Sequence, residues 1–190
     1  KDRRQYVVVN GKSSTTEVVK YGVPQGSLLG PRLFSIHVND LPEVPSQGQI
    51  EMFADDTEYY CVGKTEDEVL SALQVGIDEI SAWCRRNSLT IHPDKSEIMI
   101  LSRRKFIGPM KAVELGNKLI KVVNESKCLG VTLDNKLQWK TQVNNAASSM
   151  NVKLKQIKRF RSLSPQTLEK IYFQGILPGS TYGIAVWGSG

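Results

Sequence analysis

Residues 50–61 read Ile-Glu-Met-Phe-Ala-Asp-Asp-Thr-Glu-Tyr-Tyr-Cys, which sets two adjacent carboxylates, Asp55 and Asp56, between two short runs rich in apolar and aromatic side chains. Residues 50–54 and 57–62 each predict a strand, so the two acids fall at or beside a hairpin turn. A hairpin tip holds side chains rigidly at an exposed edge, and carboxylate oxygens held in that way are the ligands a hard divalent cation takes. Asp is also a good turn former, so a metal site and a plain turn both stand on these residues alone. Phe53, directly before the acids, reads as core packing rather than as a platform for a base. His37 and His92 are solitary, and Cys61, Cys84 and Cys128 are too far apart for a paired-cysteine site. Zinc is therefore not expected, and the cysteines read as reduced core thiols of an intracellular protein.

The elements that must position these residues follow from local chemistry. Residues 5–9 are a β-rich run, Asn10-Gly11 is a hairpin turn signal, and residues 13–21 read as the return strand. Residues 22–31, Gly-Val-Pro-Gln-Gly-Ser-Leu-Leu-Gly-Pro, specify a shaped loop with backbone open to close approach. Pro31 suits a first helical turn, and Leu33, Phe34, Ile36, His37 and Leu41 give the expected buried stripe of a helix ending before Pro42. Thr65 and Glu68 form a capping box. Leu70, Leu73, Ile77, Ile80 and Cys84 then recur at helical spacing, which predicts a helix over 66–86 with Trp83 in the same core.

Further along, residues 87–91 read as extended, 92–95 as a turn and 97–101 as a strand. Residues 111–115 and 118–123 flank Gly116-Asn117 as a second hairpin. Residues 126–133 read as one further strand, in which Gly130 marks a bulge or a close backbone approach. Residues 138–160 predict a basic helix, Ser164-Pro165 opens another, and Pro178 begins a last segment. The order gives an α+β fold with an all-helical C-terminal part.

The formal net charge of +6 is unevenly spread. Residues 1–136 hold 18 basic and 18 acidic side chains, whereas 137–190 hold seven basic ones against Glu169. Lys153, Lys155, Lys158, Arg159 and Arg161 are bunched, which suits a surface facing phosphates as well as it suits a solvated helix face. No apolar run is long enough to cross a bilayer. A start without Met, within a strand-like run, is read as a piece of a larger protein.

Taken together, these residues resemble the reverse transcriptase of non-LTR (LINE-type) retrotransposons. Phe53-Ala-Asp-Asp56, preceded by the 22–31 loop and Asn39-Asp-Leu41, is similar to the polymerase palm. The resemblance implies a right-hand polymerase fold, with a partial palm over residues 1–136 (an antiparallel sheet packed on helices) and a helical thumb over residues 137–190. It implies Asp55 and Asp56 as catalytic carboxylates binding Mg²⁺, and Lys95, in the 87–97 stretch, near the nucleotide phosphates. Pro24, Gln25 and Gly26 would meet the templating base and incoming nucleotide, with Phe53 counted on that side. Cys128, Leu129 and Gly130 match a primer-grip hairpin, and Lys153, Lys155, Lys158, Arg159 and Arg161 would track the nucleic-acid backbone. The implied reaction adds dNTPs to a DNA primer on an RNA template by phosphoryl transfer over two Mg²⁺ ions about 4 Å apart. The implied setting is the nucleus or cytoplasm, with no membrane.

One departure is large. The family's further catalytic aspartate, on a first palm strand upstream of the 22–31 loop, has no counterpart, because Asp2 does not match it; the fingers are absent too. Two carboxylates on one side cannot clamp two six-coordinate ions. The chain alone is therefore expected to lack polymerase activity unless the fingers region or another chain completes it. Gly30, where the wider superfamily often has Ser, favours the LINE-type branch. The alternatives are a non-catalytic nucleic-acid-binding module and an assembly fragment whose open sheet edge pairs with another chain.

Overall fold

The computed structural model describes residues 3–20, 22–24, 26–102, 112–160 and 162–188. Asn10 and Gly11, at φ 49° and 76°, make the two-residue turn that the Asn-Gly signal specifies. It joins β2 (Val8–Val9) to β3 (Lys12–Ser13), and β1 (Arg3–Gln5) pairs with β4 (Glu17–Val19) below it. The expected long strands are interrupted where Ser14 bonds Val7 twice, backbone N–H to carbonyl at 2.8 Å and side-chain oxygen to the Val7 N–H at 2.9 Å.

Helix α1 (Gly30–His37) carries Pro31 in its first turn as expected, but its buried side differs from the predicted stripe. Phe34, Val38 and Leu41, spaced i, i+4 and i+7, turn inward, while Leu33, Ile36 and His37 face outward, Ile36 at 72% exposure. β5 (Gln49–Phe53) and β6 (Asp56–Tyr60) form an antiparallel hairpin with Ile50 opposite Tyr59 and Phe53 opposite Asp56. Helix α2 (Glu66–Arg86) follows. Thr65 Oγ1 accepts the Glu68 N–H at 3.3 Å, three acids lie in the first turn and two arginines in the last, all favourable to the helix dipole.

Helix α2 organises the core. At its C-terminal end Ile80, Trp83 and Cys84 pack with Val38, Leu41 and Ile50. At its N-terminal end Leu70 and Leu73 pack with Ile98, Val113, Leu115 and Ile120. Tyr59 touches both clusters, so the carboxylate hairpin is seated where they meet.

The segment after α2 is less regular than the sequence suggests. Residues 87–91 form no strand, and 97–101 reduce to β7 (Glu97–Ile98), which pairs in parallel with β10 (Lys121–Val122). β8 (Glu114–Leu115) and β9 (Lys118–Leu119) close around Gly116 and Asn117. Residues 126–133, one strand by local pattern and a hairpin by the resemblance, form the hairpin of β11 (Glu125–Cys128) and β12 (Val131–Asp134). Leu129 and Gly130, at φ 44° and 90°, are its turn, so Gly130 is not a bulge. Among the described residues the strands pair two by two and form no continuous antiparallel sheet.

The C-terminal part is helical. Asp134 leads into α3 (Lys140–Ile157) by accepting backbone N–H groups of Lys136 and Gln138 at 3.0 Å and of Trp139 at 2.7 Å. Buried Gln142 accepts the Thr132 N–H at 2.9 Å and ties α3 to β12. Helix α4 (Pro165–Ile171), capped by Ser164, continues through a π-helical turn at Tyr172–Ile176 into α5 (Leu177–Ser180), and α6 (Ile184–Trp187) ends the described chain. Pro178 accounts for the π turn: it has no N–H for the Gln174 carbonyl and its ring would press on that oxygen in a regular helix.

Candidate active site

The two acids occupy different positions on the hairpin. Ala54 and Asp55 are the turn, and Asp56 opens β6 opposite Phe53. Ala54 sits at φ 55°, a left-handed conformation that costs a residue with a Cβ about 1–2 kcal/mol and so tightens the tip beyond what its sequence prefers. Period-2 alternation then sorts the strands. Ile50, Met52 and Tyr59 point to the core, while Glu51, Phe53, Asp56, Glu58 and Tyr60 are exposed. Phe53 is 67% exposed, which corrects the expectation of core packing: its parity places it with the carboxylates. Glu51 and Glu58 are direct cross-strand neighbours on that same face, an unfavourable like-charge pair.

The hairpin is held from behind by Tyr59. Its hydroxyl donates to the Gln47 carbonyl at 2.6 Å, lies 3.3 Å from the Ala72 carbonyl of α2, and receives the Cys61 thiol at 3.1 Å. Burial, followed by the Cys61 contact, raises its phenol pKa above the usual range. The ring lies over Gly76 of α2, where a Cβ would collide with the phenol oxygen.

Cys128, the last residue of β11, lies near the Glu58 side of this hairpin. Burial first, then the nearby Glu58 and Asp56 carboxylates, hold the Cys128 thiol up at about 11. The structure thus brings Cys128 to Asp56 and Glu58. Glu58 was not singled out in the sequence, although its position two residues after Asp56 puts it on the same strand face. On the other flank, the Tyr182 ring stands 3.3 Å from where a Cβ on Gly130 would be. The close approach expected at Gly130 is therefore present.

The remaining candidates are separate. In the 22–31 loop the Ser27 N–H bonds the Pro24 carbonyl at 3.2 Å across Gly26, at φ 79°, and Ser27 Oγ accepts the Gly30 N–H at 3.0 Å. Gly30 is buried so tightly that a Cβ would stand 2.7 Å from Ser27 Oγ. Lys95 ends the one-turn 3₁₀ segment Pro93–Lys95 with its side chain exposed, and the local ion pair is made by its neighbour Asp94, to Lys118 at 2.9 Å. On α3 and just after it, Lys155, Lys158 and Arg159 are exposed, whereas Lys153 points to the opposite side, its ammonium 2.7 Å from where a Gly179 Cβ would stand. Gln25 and Arg161 lie outside the described residues.

Asp55 and Asp56 supply hard oxygen donors, the chemistry a divalent cation such as Mg²⁺ takes. Among the described residues no group of three His, Cys, Asp or Glu side chains gathers to hold an ion. The fit is therefore one of donor type, with two carboxylates toward about six ligands.

An exposed carboxylate hairpin thus follows a shaped Gly-Pro loop in the chain, and a second hairpin comes later. The family model described as reverse transcriptase (RNA-dependent DNA polymerase) matches residues 3–133, and the chain belongs to that family, in its non-LTR, LINE-type branch. It is 29% identical, over 98% of its length, to a probable RNA-directed DNA polymerase from transposon BS of Drosophila melanogaster, covering 22% of that protein. The RNA-directed DNA polymerase from mobile element jockey of the same organism is also 29% identical over 98% of the chain, with 21% of the relative covered. That from transposon X-element is probable by name and 27% identical. The chain thus spans about a fifth of the length of these relatives. No solved structure gives a significant match.

Proposed function

We propose that this chain is the palm and helical thumb portion of an RNA-directed DNA polymerase, the palm reaching to about residue 136 and the thumb beginning at residue 137. The observation that carries the reading is the pair of exposed carboxylates, Asp55 in the turn and Asp56 at the start of β6, held at the tip of a hairpin. In this reading Asp55 and Asp56 would hold Mg²⁺, which when bound supplies charge neutralisation at the phosphates and activation of the primer hydroxyl. The backbone of Cys128, Leu129 and Gly130 positions the primer end, and Pro24, Gln25 and Gly26, with exposed Phe53, face the template base and dNTP. Lys95 offsets phosphate charge, and Lys155, Lys158, Arg159 and Arg161 meet the duplex backbone without reading sequence. Lys153 has a different part, because its ammonium is turned toward α5. The setting proposed is the nucleus or cytoplasm.

Two carboxylates leave a six-coordinate ion mostly unsatisfied, which favours a second reading for the chain by itself: a nucleic-acid-binding module completed by a carboxylate from elsewhere. Both readings meet in one experiment. The chain is titrated with an RNA template–DNA primer duplex with and without Mg²⁺, and primer extension is followed with dNTP. The expected outcome is binding that Mg²⁺ strengthens, loss of that strengthening in Asp55→Ala, and no extension. Binding indifferent to Mg²⁺ would leave only the module, and clear extension would overturn the predicted inactivity.

A further inference from the structure

The Asn10-Gly11 hairpin is left uncovered by the described residues. Every residue from Arg4 to Val18 is exposed, and Tyr6, Val7, Val8 and Val9 each show more than half of their surface. A two-stranded hairpin with both faces in water is marginally stable, and four successive apolar residues put open apolar surface on each face.

Register sorts the two faces. Gln5 pairs with Glu17 and Val9 with Lys12, while Val7 and Ser14 are joined by two hydrogen bonds. Tyr6 on the first strand thus stands opposite both Thr15 and Thr16 on the second, a β-bulge that leaves the alternation of the first strand intact. Gln5, Val7 and Val9 therefore share a face with Lys12, Ser14 and Glu17. Val7, Val9, Lys12 and Ser14 line one open concavity there. The other face, with Tyr6, Val8 and Val18, has Arg4 and no acid to set against it.

The first face is complementary to itself. A two-fold axis across the strands at the Val7–Ser14 level turns the hairpin end for end and lays face on face, as two sheets pack. Val7 of one copy then lies over Val7 of the other, Val9 over the Gln5 stem, and Lys12 over Glu17, the last two contacts made twice by symmetry. Among the described residues Lys12 and Glu17 make no ion pair within the chain, so both charges are open to a second copy. We propose that this face binds a second copy of the chain in an isologous dimer, with the valines packed at its centre and Lys12–Glu17 pairs fixing its register. Such charges set orientation more than affinity.

The test is sedimentation of the full chain without nucleic acid, from about 1 to about 300 μM. One face of so short a hairpin falls below the roughly 800 Å² per partner of a stable interface, so a reversible monomer–dimer equilibrium is expected. Lys12→Glu and Glu17→Lys each oppose like charges twice across the axis, and each is expected to weaken the dimer at least about tenfold. Mixing the two variants makes every contact complementary again, so a heterodimer of near wild-type affinity is expected, as is recovery in the double variant Lys12→Glu/Glu17→Lys. A wild type that stays monomeric throughout leaves the face to another partner and overturns the proposal. Single variants that dimerise like the wild type, or a mixture that stays monomeric, overturn it as well. Where a reversal unfolds the chain, the wild type decides by itself. In a mixture of light and isotope-labelled chains, carbodiimide is expected to join Lys12 of one copy to Glu17 of the other, and a dimer band without that link overturns the pairing.

Discussion

Gly76 is small because Tyr59 occupies its space. The phenol oxygen lies where a Cβ at position 76 would be, and the same oxygen gathers contacts from Gln47, Ala72 and Cys61. Alanine is ordinarily the better helix residue by about 1 kcal/mol, but overpacking a buried position costs about 1–3 kcal/mol. Gly76→Ala is therefore expected to lower stability by up to about 2 kcal/mol in urea unfolding, and a gain in stability would show that the ring yields freely. Asp134 is a second residue with a single task. Burial pushes its carboxyl pKa up, but N–H donors from Gln138, Trp139 and Lys136 win and hold it below the usual carboxylate range. A folded pKa below the unfolded one gives stability that is complete above the unfolded value and lost as pH falls through the folded value. The urea midpoint of the wild type is expected to drop on acidification through this range, with Asp134→Asn less stable at neutral pH and showing a shallower drop; parallel curves would count against the cap.

Among the elements, the two turns closed by glycine invite comparison. Asn10-Gly11 and Leu129-Gly130 both place two successive residues at positive φ, a conformation for which Asn-Gly is preferred and Leu is not. Leu129 is exposed, so little burial repays its strain. Leu129→Asn is expected to raise stability by about 1 kcal/mol in equilibrium unfolding; an unchanged or lower midpoint would mean that the side chain has a packing role. The turn also marks where the sequence is hard to read. A pattern of apolar residues through 126–133 looks continuous because a two-residue turn preserves strand-like composition on both sides, and Leu gives no turn signal. Helix α2 was readable almost to the residue, since its cap, stripe and terminal charges all agree.

For the whole molecule, an accessible surface of 15030 Å² compares with roughly 9,000 Å² for a compact monomer of this mass, so much apolar surface remains open. Leu28, at 93% exposure, with Leu29, Leu33 and Ile36 makes a band along the 22–31 loop and α1. The charge is equally uneven. Lys155, Lys158 and Arg159 share an exposed side while Lys153 turns to α5, which separates their expected contributions to duplex binding. Replacing all three exposed residues by Ala should flatten the dependence of log affinity on log salt by up to about three, whereas Lys153→Ala should leave the slope unchanged. Equal slopes for both variants would remove the thumb from the interface.

Local signals are enough for the Asn10-Gly11 turn, the Pro31 and Thr65 helix starts, the α2 stripe, and the placing of Asp55 and Asp56 at or beside a hairpin turn. The sequence also carried the family, because four motifs in order are informative even where each alone is weak. What depends on a partner from another element is set only in the folded chain. Packing turned Phe53 outward, set Tyr59 behind the carboxylates and Glu58 near Cys128, and parted Lys153 from the other basic residues. The physical reason is common to all of these: composition and periodicity report which side of an element is apolar, whereas which side a neighbour covers is settled only when the elements pack.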